Sequence, residues 1–116
     1  MSAVADVRRN RTAGDIGFAT VNSNDDTDAE IVAAVTGRKI RVLAMHLSAA
    51  SAVDVVFEDA AGGADLTGTL NLTATDLNMT FPYNPFGWFE TTAGNALSRD
   101  LSGAVAVTTF LVYVKI

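Results

Sequence analysis

The chain has 116 residues, of which 49% are hydrophobic and 18% are charged, and it carries a formal net charge of −5 with no cysteine. This length supports one domain with a single core, and the composition is that of a globular protein. The acidic charge argues against nucleic-acid binding, which needs a basic face to displace counterions from phosphates. Disulfides and thiolate chemistry are excluded. No run reaches the roughly 20 apolar residues of a membrane span, and no secretion signal is expected at the N-terminus.

The first 14 residues differ from the rest of the chain. Residues 1–14 carry Arg8, Arg9 and Arg11 among small and polar residues and show no hydrophobic periodicity. This pattern predicts an extended N-terminal arm, which is either a flexible terminus or a segment that is ordered only against a partner. A single β-sandwich domain is predicted over 15–116.

Short runs of alternating apolar and polar residues fill that domain. Alternation is clearest where Val53, Val55 and Phe57 are predicted to point inward and Asp54 and Glu58 outward. About eight strands are predicted, over 15–21, 31–35, 38–48, 52–58, 67–73, 76–81, 96–101 and 104–116. Strands of this length without an amphipathic helix indicate an all-β fold, a jelly-roll-like antiparallel β-sandwich. An immunoglobulin-like Greek key is the alternative topology.

Two predicted strands lack a polar face. Both sides of 40–47 are apolar, and so are both sides of 105–114, where a bulge at Thr108 and Thr109 is expected to switch the inward phase. No helical layer is predicted that could cover a second apolar face. Burial against another copy of the chain, with closed symmetry, is therefore expected. The alternative is that small Ala and Val residues line an exposed sheet.

The sequence offers no catalytic constellation, so we predict that the protein is not an enzyme and binds no cofactor. His46 is the only histidine, whereas the metal sites of cupin-type jelly rolls need two or three imidazoles. We expect His46 to be hydrogen-bonded within its apolar strand. No Gly-x-Ser-x-Gly turn or phosphate-binding glycine loop occurs. Glu58, Asp59 and Glu90 are glycosidase candidates only by default, because outward, solvated charges explain them better.

Residues 22–28 form an acidic, turn-rich segment that invites a calcium hypothesis, because carboxylates at alternate positions can surround a hard cation. The glycine and bidentate glutamate of an EF-hand are not at the required spacing. The favoured interpretation is a solvated loop with no metal, neutralised by the nearby arginines of the arm.

Residues 81–92 hold both prolines and the only tryptophan of the chain. The prolines exclude a helix, so an ordered corner between strands is predicted. Its rings, notably Phe86, Trp88 and Phe89, are interpreted as a buried plug or a subunit contact. A platform that stacks on sugars is the alternative.

Arg99 lies between Leu97 and Leu101 on an apolar face and is expected to belong to the same contact. A charge on such a face needs a partner, and the candidate acids are Asp28, Glu30 and Glu90.

Five segments carry a resemblance to a known family: Gly37–Leu43, Leu66–Gly68, Pro82–Thr91, Gly94–Leu97 and Leu101–Val107. With them the chain resembles small virion proteins of tailed phages and prophages. The most specific element is Asn-Pro-x-Gly-Trp-Phe-x-Thr, which begins at Asn84.

The resemblance implies a jelly-roll virion component of the capsid decoration, or cement, type. It implies a homotrimer on the outer capsid surface, which clamps neighbouring major capsid subunits of the same phage, and assembly in the bacterial host cytoplasm. A tail, fibre or head-fibre module that binds host surface or glycan is the alternative. The residues predicted to contact a subunit or the capsid are Arg8, Arg9, Arg11, Phe86, Trp88, Phe89 and Arg99.

Overall fold

The computed structural model describes residues 15–116, so the arm predicted over 1–14 lies outside the described residues. The strands are β1 (Ile16–Ser23), β2 (Ala29–Val32), β3 (Ile40–Ala49), β4 (Val53–Asp59), β5 (Leu70–Leu72), β6 (Asn78–Phe81), β7 (Phe89–Glu90), β8 (Leu97–Leu101) and β9 (Val107–Lys115). All their pairings are antiparallel. Within this part of the chain, no helix is long and apolar enough to cross a membrane.

The strands form two sheets. Sheet A has the order β1-β9-β3-β6, with the two-residue β7 also paired to β3, and sheet B has the order β2-β8-β4-β5. In both sheets a late strand lies between two early ones, so each sheet combines both ends of the domain. With β7 set aside, these two orders are those of an eight-stranded jelly roll. The predicted jelly-roll-like antiparallel β-sandwich is confirmed.

The core lies between the inner faces of the two sheets. Val55 and Phe57 of β4 are fully buried there, and so are Ile40, Val42 and Leu47 of β3. The alternation that predicted an inward Val53, Val55 and Phe57 is confirmed, because each of these side chains is buried. Burial of these branched and aromatic side chains gives the sandwich most of its stability, at about 1.5–3 kcal/mol for each one fully buried.

A β-bulge at Leu43 explains the apolar residues on both sides of β3. The pairing of β3 with β9 shifts register between Val42 and Ala44. An inserted residue reverses the parity of inward positions along a strand. Ile40 and Val42 before the bulge and Met45 after it are therefore all buried in the same core.

The prediction of a bulge in β9 is wrong. β9 pairs with β1 in unbroken register from Val107 to Val114, so the irregularity lies in β3 instead. Because β9 keeps its phase, Val107, Thr109 and Leu111 are buried in the core, whereas Phe110 lies on the opposite face and is exposed.

Candidate interaction surfaces

The outer face of sheet A is apolar across three neighbouring strands. The pairing registers place Phe18 opposite Val112, Val112 opposite Ala44, and Ile16 opposite Val114. Phe18 is 81% exposed and Phe110 is 51% exposed. We define the apolar face by six residues: Ile16, Phe18, Ala44, Phe110, Val112 and Val114.

Charged residues are sparse on this face. Within the described sheet, the outward positions of β1, β9 and β6 hold no Lys, Arg, Asp or Glu, and β3 contributes only Arg41 near its start. The solvent-facing side of an antiparallel sheet normally carries polar residues. The apolar face lacks them at its six defining positions.

A shallow groove of about 440 Å³ runs along the apolar face between Phe110 and Pro82, with Ala44 and Val112 among its lining residues. His46 lies at the same groove, with its Nδ1 atom 2.8 Å from Thr80 Oγ1 and its ring 5.4 Å from the ring of Phe110. The prediction that His46 is hydrogen-bonded in its strand is confirmed.

The aromatic corner is only partly a plug. Phe81 packs edge-to-face against Trp88 at 5.2 Å, and Trp88 Nε1 donates a hydrogen bond to the Pro82 carbonyl oxygen at 2.8 Å. The outer rings, however, face solvent, since Tyr83 is 67% exposed and Phe86 is 86% exposed. Buried-plug packing is therefore wrong for these two rings. Together with Trp88, which is 43% exposed, they form an exposed aromatic cluster at one end of the sandwich.

The corner is fastened to β3 through β7. Arg41 and Glu90 are register partners, and Arg41 Nε donates to Glu90 Oε1 at 2.9 Å while Lys39 Nζ donates to Oε2 at 3.2 Å. The Arg41 hydrogen bond, with a smaller contribution from Lys39, lowers the pKa of Glu90 against the opposing effect of burial. Gly87 has φ +84°, and a Cβ there would lie 2.5 Å from Arg41 Cγ. Glu90 is thus a structural ion-pair residue.

Phe89, the inner ring of the corner, is half-buried against Phe57 of the core, with ring centroids 5.5 Å apart. Of the predicted contact residues in the corner, Phe86 and Trp88 are therefore accessible, whereas Phe89 mainly anchors the corner. Arg8, Arg9 and Arg11 lie outside the described residues.

Arg99 is buried inside the sandwich, with no exposed surface. Its Nη1 donates to the Val107 carbonyl oxygen and to Thr109 Oγ1, both at 2.9 Å, and its Nη2 donates to the Ser23 carbonyl oxygen at 3.3 Å. Among residues 15–116, no carboxylate lies within salt-bridge distance of it. The predicted acidic partner is wrong, because three neutral oxygens accept the hydrogen bonds from Nη1 and Nη2, while the buried Nε has no hydrogen-bond partner among the described residues. Arg99 lies in the interior, where it cannot reach a partner in this conformation.

The outer face of sheet B is acidic, in contrast to the apolar face. Carboxylate oxygens of Asp28, Glu58 and Asp100 lie within 4.8 Å of one another. Glu58 is only 7% exposed, so its interpretation as a solvated charge is wrong. Burial, followed by the neighbouring Asp28 and Asp100, raises the pKa of Glu58 to about 7.

Asp59, the other default glycosidase candidate in this region, has a structural role. Burial tends to raise the pKa of Asp59, but hydrogen bonds from the Thr92 hydroxyl and amide and from Asn95 outweigh it, so the pKa is lowered. Its carboxylate accepts the Thr92 amide at 2.8 Å and Asn95 Nδ2 at 3.1 Å. Asp59 therefore fastens the turn after the aromatic corner to the end of β4.

The raised pKa of Glu58 predicts that stability falls as pH rises. Between the ordinary value of 4.5 and about 7 the unfolded chain ionises while the folded protein keeps the proton, so the free energy of unfolding decreases, and above about 7 the loss is complete. The groups that face Glu58 are Asp28, Asp100 and, by register, Asp65; none is cationic. The expected loss is about 3 kcal/mol.

Urea unfolding at about pH 4 and about pH 8, in the presence of a chelator, measures this loss. Glu58→Gln cannot ionise, so its unfolding free energy should depend less on pH by that amount. Equal pH dependence of the wild type and the variant would contradict the prediction.

The domain is an antiparallel jelly roll with one apolar and one acidic outer face. No protein-family model matches its sequence, and no curated protein matches it either.

Three solved structures illustrate what the chain is similar to. A protein of Bacillus endospore appendages, which form disulfide-linked pili, has a TM-score of 0.47 at 16% identity, over 87% of this chain and 83% of that chain. A protein of the virus-like particle of extra small virus, from the giant freshwater prawn Macrobrachium rosenbergii, has a TM-score of 0.42 at 12% identity, over 86% and 76%. RmlC from Streptococcus suis, solved with dTDP-D-xylose, has a TM-score of 0.33 at 14% identity, over 86% and 44%.

Proposed function

We propose that the protein is a non-enzymatic structural protein that forms a homo-oligomer through the apolar face and decorates the capsid of a tailed phage. The observation that carries the proposal is the apolar face itself, with two phenylalanines more than half exposed and no charge at its centre. Monomeric proteins rarely expose a continuous apolar patch larger than a few hundred Å², and larger patches mark interaction sites.

Self-association accounts for this face better than a bound small molecule does. Its groove is shallow and continues into the rings of Phe18 and Phe110. A small-molecule site is usually a concave pocket with a few convergent polar groups. A flat face of this kind suits another sheet, and an ordinary interface would cover about 800 Å² per partner.

The capsid assignment comes from the sequence resemblance. On this proposal the oligomer is a homotrimer, and the exposed aromatic cluster of the corner contacts the major capsid protein. Tyr83, Phe86 and Trp88 suit this role, because exposed aromatic rings are enriched at the centres of protein interfaces. Arg8, Arg9 and Arg11 of the arm would bind an acidic patch of the capsid.

The absence of enzymatic activity is part of the proposal. Two of the three carboxylates that were glycosidase candidates have structural surroundings: Glu90 is ion-paired and Asp59 holds a turn. The one histidine of the chain is hydrogen-bonded to a threonine.

A capsid-binding experiment tests the function. Purified protein is mixed with expanded, empty capsids of the phage or prophage that encodes it, and with unexpanded procapsids as the control. We expect saturable, stoichiometric co-sedimentation with the expanded capsids alone and an increase in their resistance to heat. Absence of binding to expanded capsids would refute capsid decoration.

A fibre or tail module that binds glycan is the second candidate, and the exposed rings of Tyr83 and Phe86 favour it. Aromatic faces stack on sugar rings, and such platforms are solvent-exposed in the free protein. A glycan array probed with the same preparation separates the two candidates. Selective glycan binding without capsid binding would replace the decoration proposal with this one.

A further inference from the structure

Three acidic residues from three neighbouring segments of sheet B meet on its outer face. Ala29 of β2 pairs with Arg99 of β8, which sets Asp28, the residue before β2, opposite Asp100. Val56 of β4 also pairs with Asp100, so Glu58 lies diagonally across from Asp100. Diagonal neighbours are reached only by longer side chains. The extra methylene of Glu58 allows its carboxylate to meet the two aspartates.

Two buried polar atoms on this face lack hydrogen-bond partners. Glu58 Oε1 is buried and receives no hydrogen bond, and Ser98 Oγ, in a residue that is 1% exposed, also has none. Glu58 and Ser98 are directly opposed register partners, so their side chains are neighbours on one face. Buried oxygens are nearly always satisfied by protein, water or an ion. Both oxygens lie beside the three carboxylates, where a bound cation would satisfy them.

Within residues 15–116, no basic side chain neutralises the cluster. The ion pairs of this part of the chain join Arg38 to Asp15, and Lys39 and Arg41 to Glu90. Like charges so close together, one of them buried, are strongly unfavourable unless a cation or a proton compensates them.

We propose that Asp28, Glu58 and Asp100 bind one calcium ion. Their donor atoms are all oxygens, which selects the class of hard cations. Two oxygens that each lie about 2.4 Å from a common calcium ion can be at most about 4.8 Å apart, and these carboxylate oxygens lie within 4.8 Å of one another. The adaptable coordination of calcium suits ligands from a sheet and a loop better than the strict octahedron of magnesium does.

The loop after β4 would complete the site. Gly62 is adjacent, since a Cβ added to it would lie 4.0 Å from Asp28 Oδ2. Calcium takes six to eight oxygen ligands, so water and backbone carbonyls of this loop would supply those that three carboxylates do not. The ion would then tie the start of β2 and the loop after β4 to the centre of sheet B. The site lies on the opposite side of the sandwich from the apolar face and does not depend on the proposed function.

Calorimetric titration of the chelator-treated full chain with CaCl2, at about pH 7.5, tests the site. We expect one calcium ion per chain, with a Kd no weaker than the millimolar limit of known protein calcium sites, and a calcium-dependent rise in the thermal unfolding midpoint. Glu58→Gln should weaken binding at least about tenfold, because it removes a charged ligand. This variant should still fold, since glutamine has the same shape and no buried charge.

Asp26→Asn is the matched control. Asp26 is an exposed acid two residues before Asp28, so its replacement removes the same charge from the same region, and calcium affinity should change less than about twofold. Absence of calcium binding by the wild type would overturn the proposal, and so would equal losses in Asp26→Asn and Glu58→Gln. If binding appeared only after Arg8, Arg9 and Arg11 were replaced by Ala, the arm would be the natural counterion and the proposal would also be overturned.

Discussion

Phe110→Ser is expected to convert the wild-type oligomer into a monomer of 12.1 kDa. Phe110 lies in β9, the middle of the three strands that form the apolar face, and with Phe18 it is one of the two exposed aromatic residues of that face. Aromatic side chains that an interface buries are typical hot spots, and removal of one costs about 2 kcal/mol or more of binding. This corresponds to a dissociation constant at least about 30-fold weaker.

The folded monomer should tolerate the same substitution. Phe110 is already 51% exposed, and its inward neighbours Thr109 and Leu111 hold β9 in the core. The unfolding midpoint of Phe110→Ser should therefore stay within a few degrees of that of the wild type after correction for lost oligomerisation. Light scattering after size-exclusion chromatography measures the molar mass and therefore the association. A protein concentration of about 10 μM is suitable, because weak oligomers have dissociation constants of this order.

Phe86→Ser is the control for this experiment. Phe86 is 86% exposed and lies in the aromatic corner, so the same change in chemistry there should leave the oligomer intact. A wild-type protein that scatters as a monomer would contradict the proposed assembly. Dissociation by Phe86→Ser but not by Phe110→Ser would assign the subunit contact to the corner instead of the apolar face.

Local sequence patterns were sufficient to predict the class of fold. β4 was predicted over 52–58 and spans Val53–Asp59, and β8 was predicted over 96–101 and spans Leu97–Leu101. Alternation in these strands reflects one buried and one outward face, and this is a property of neighbouring residues. Turn residues between the runs then limited the strand lengths.

The bulge could not be located from the sequence. Leu43 is one apolar residue in an apolar run, and nothing local distinguishes it from Val42 or Ala44. Only the pairing of β3 with β9 reveals where the register shifts. Apolar residues on both sides of two strands had suggested an uncovered apolar surface. In β3 the bulge accounts for these residues, whereas in β9 the outward apolar residues form the apolar face.

The acidic cluster was equally hidden. Asp28, Glu58 and Asp100 are separated by dozens of residues, and the sequence directed attention to the acids of 22–28 as a local group. Strand register brings one member of that group to two distant acids, and the loop after β4 then buries Glu58. A contact of this kind depends on which strands are neighbours, so hydrophobic periodicity carries no signal of it.

The surroundings of Arg99 were misjudged for a related reason. A charge between two inward leucines was expected to find an acid, yet the nearest polar groups on the facing strand are Thr109 and the Val107 carbonyl. Burial lowers the pKa of Arg99, with a weak opposing effect of Asp25. The guanidinium is therefore a buried cation held by neutral oxygens, and this arrangement leads to the second prediction.

Arg99→Ala should destabilise the protein by about 3–5 kcal/mol, whereas Arg99→Met should change its stability by no more than about 1–2 kcal/mol. Alanine removes most of a fully buried side chain and leaves a cavity, as well as the unpaired Thr109 hydroxyl. Methionine loses the same hydrogen bonds but fills the volume with a flexible apolar chain.

The near-neutral effect of methionine follows from two opposing terms. The hydrogen bonds from the guanidinium, to Val107, Thr109 and Ser23, contribute about 1.5–3 kcal/mol each because the donor is charged. Desolvation of the cation costs several kcal/mol, and no buried carboxylate offsets that cost. The two terms nearly cancel, so the volume of the side chain decides the outcome. Urea unfolding of the two variants measures the difference, and a methionine variant as unstable as the alanine variant would show that the hydrogen bonds of Arg99 outweigh its desolvation.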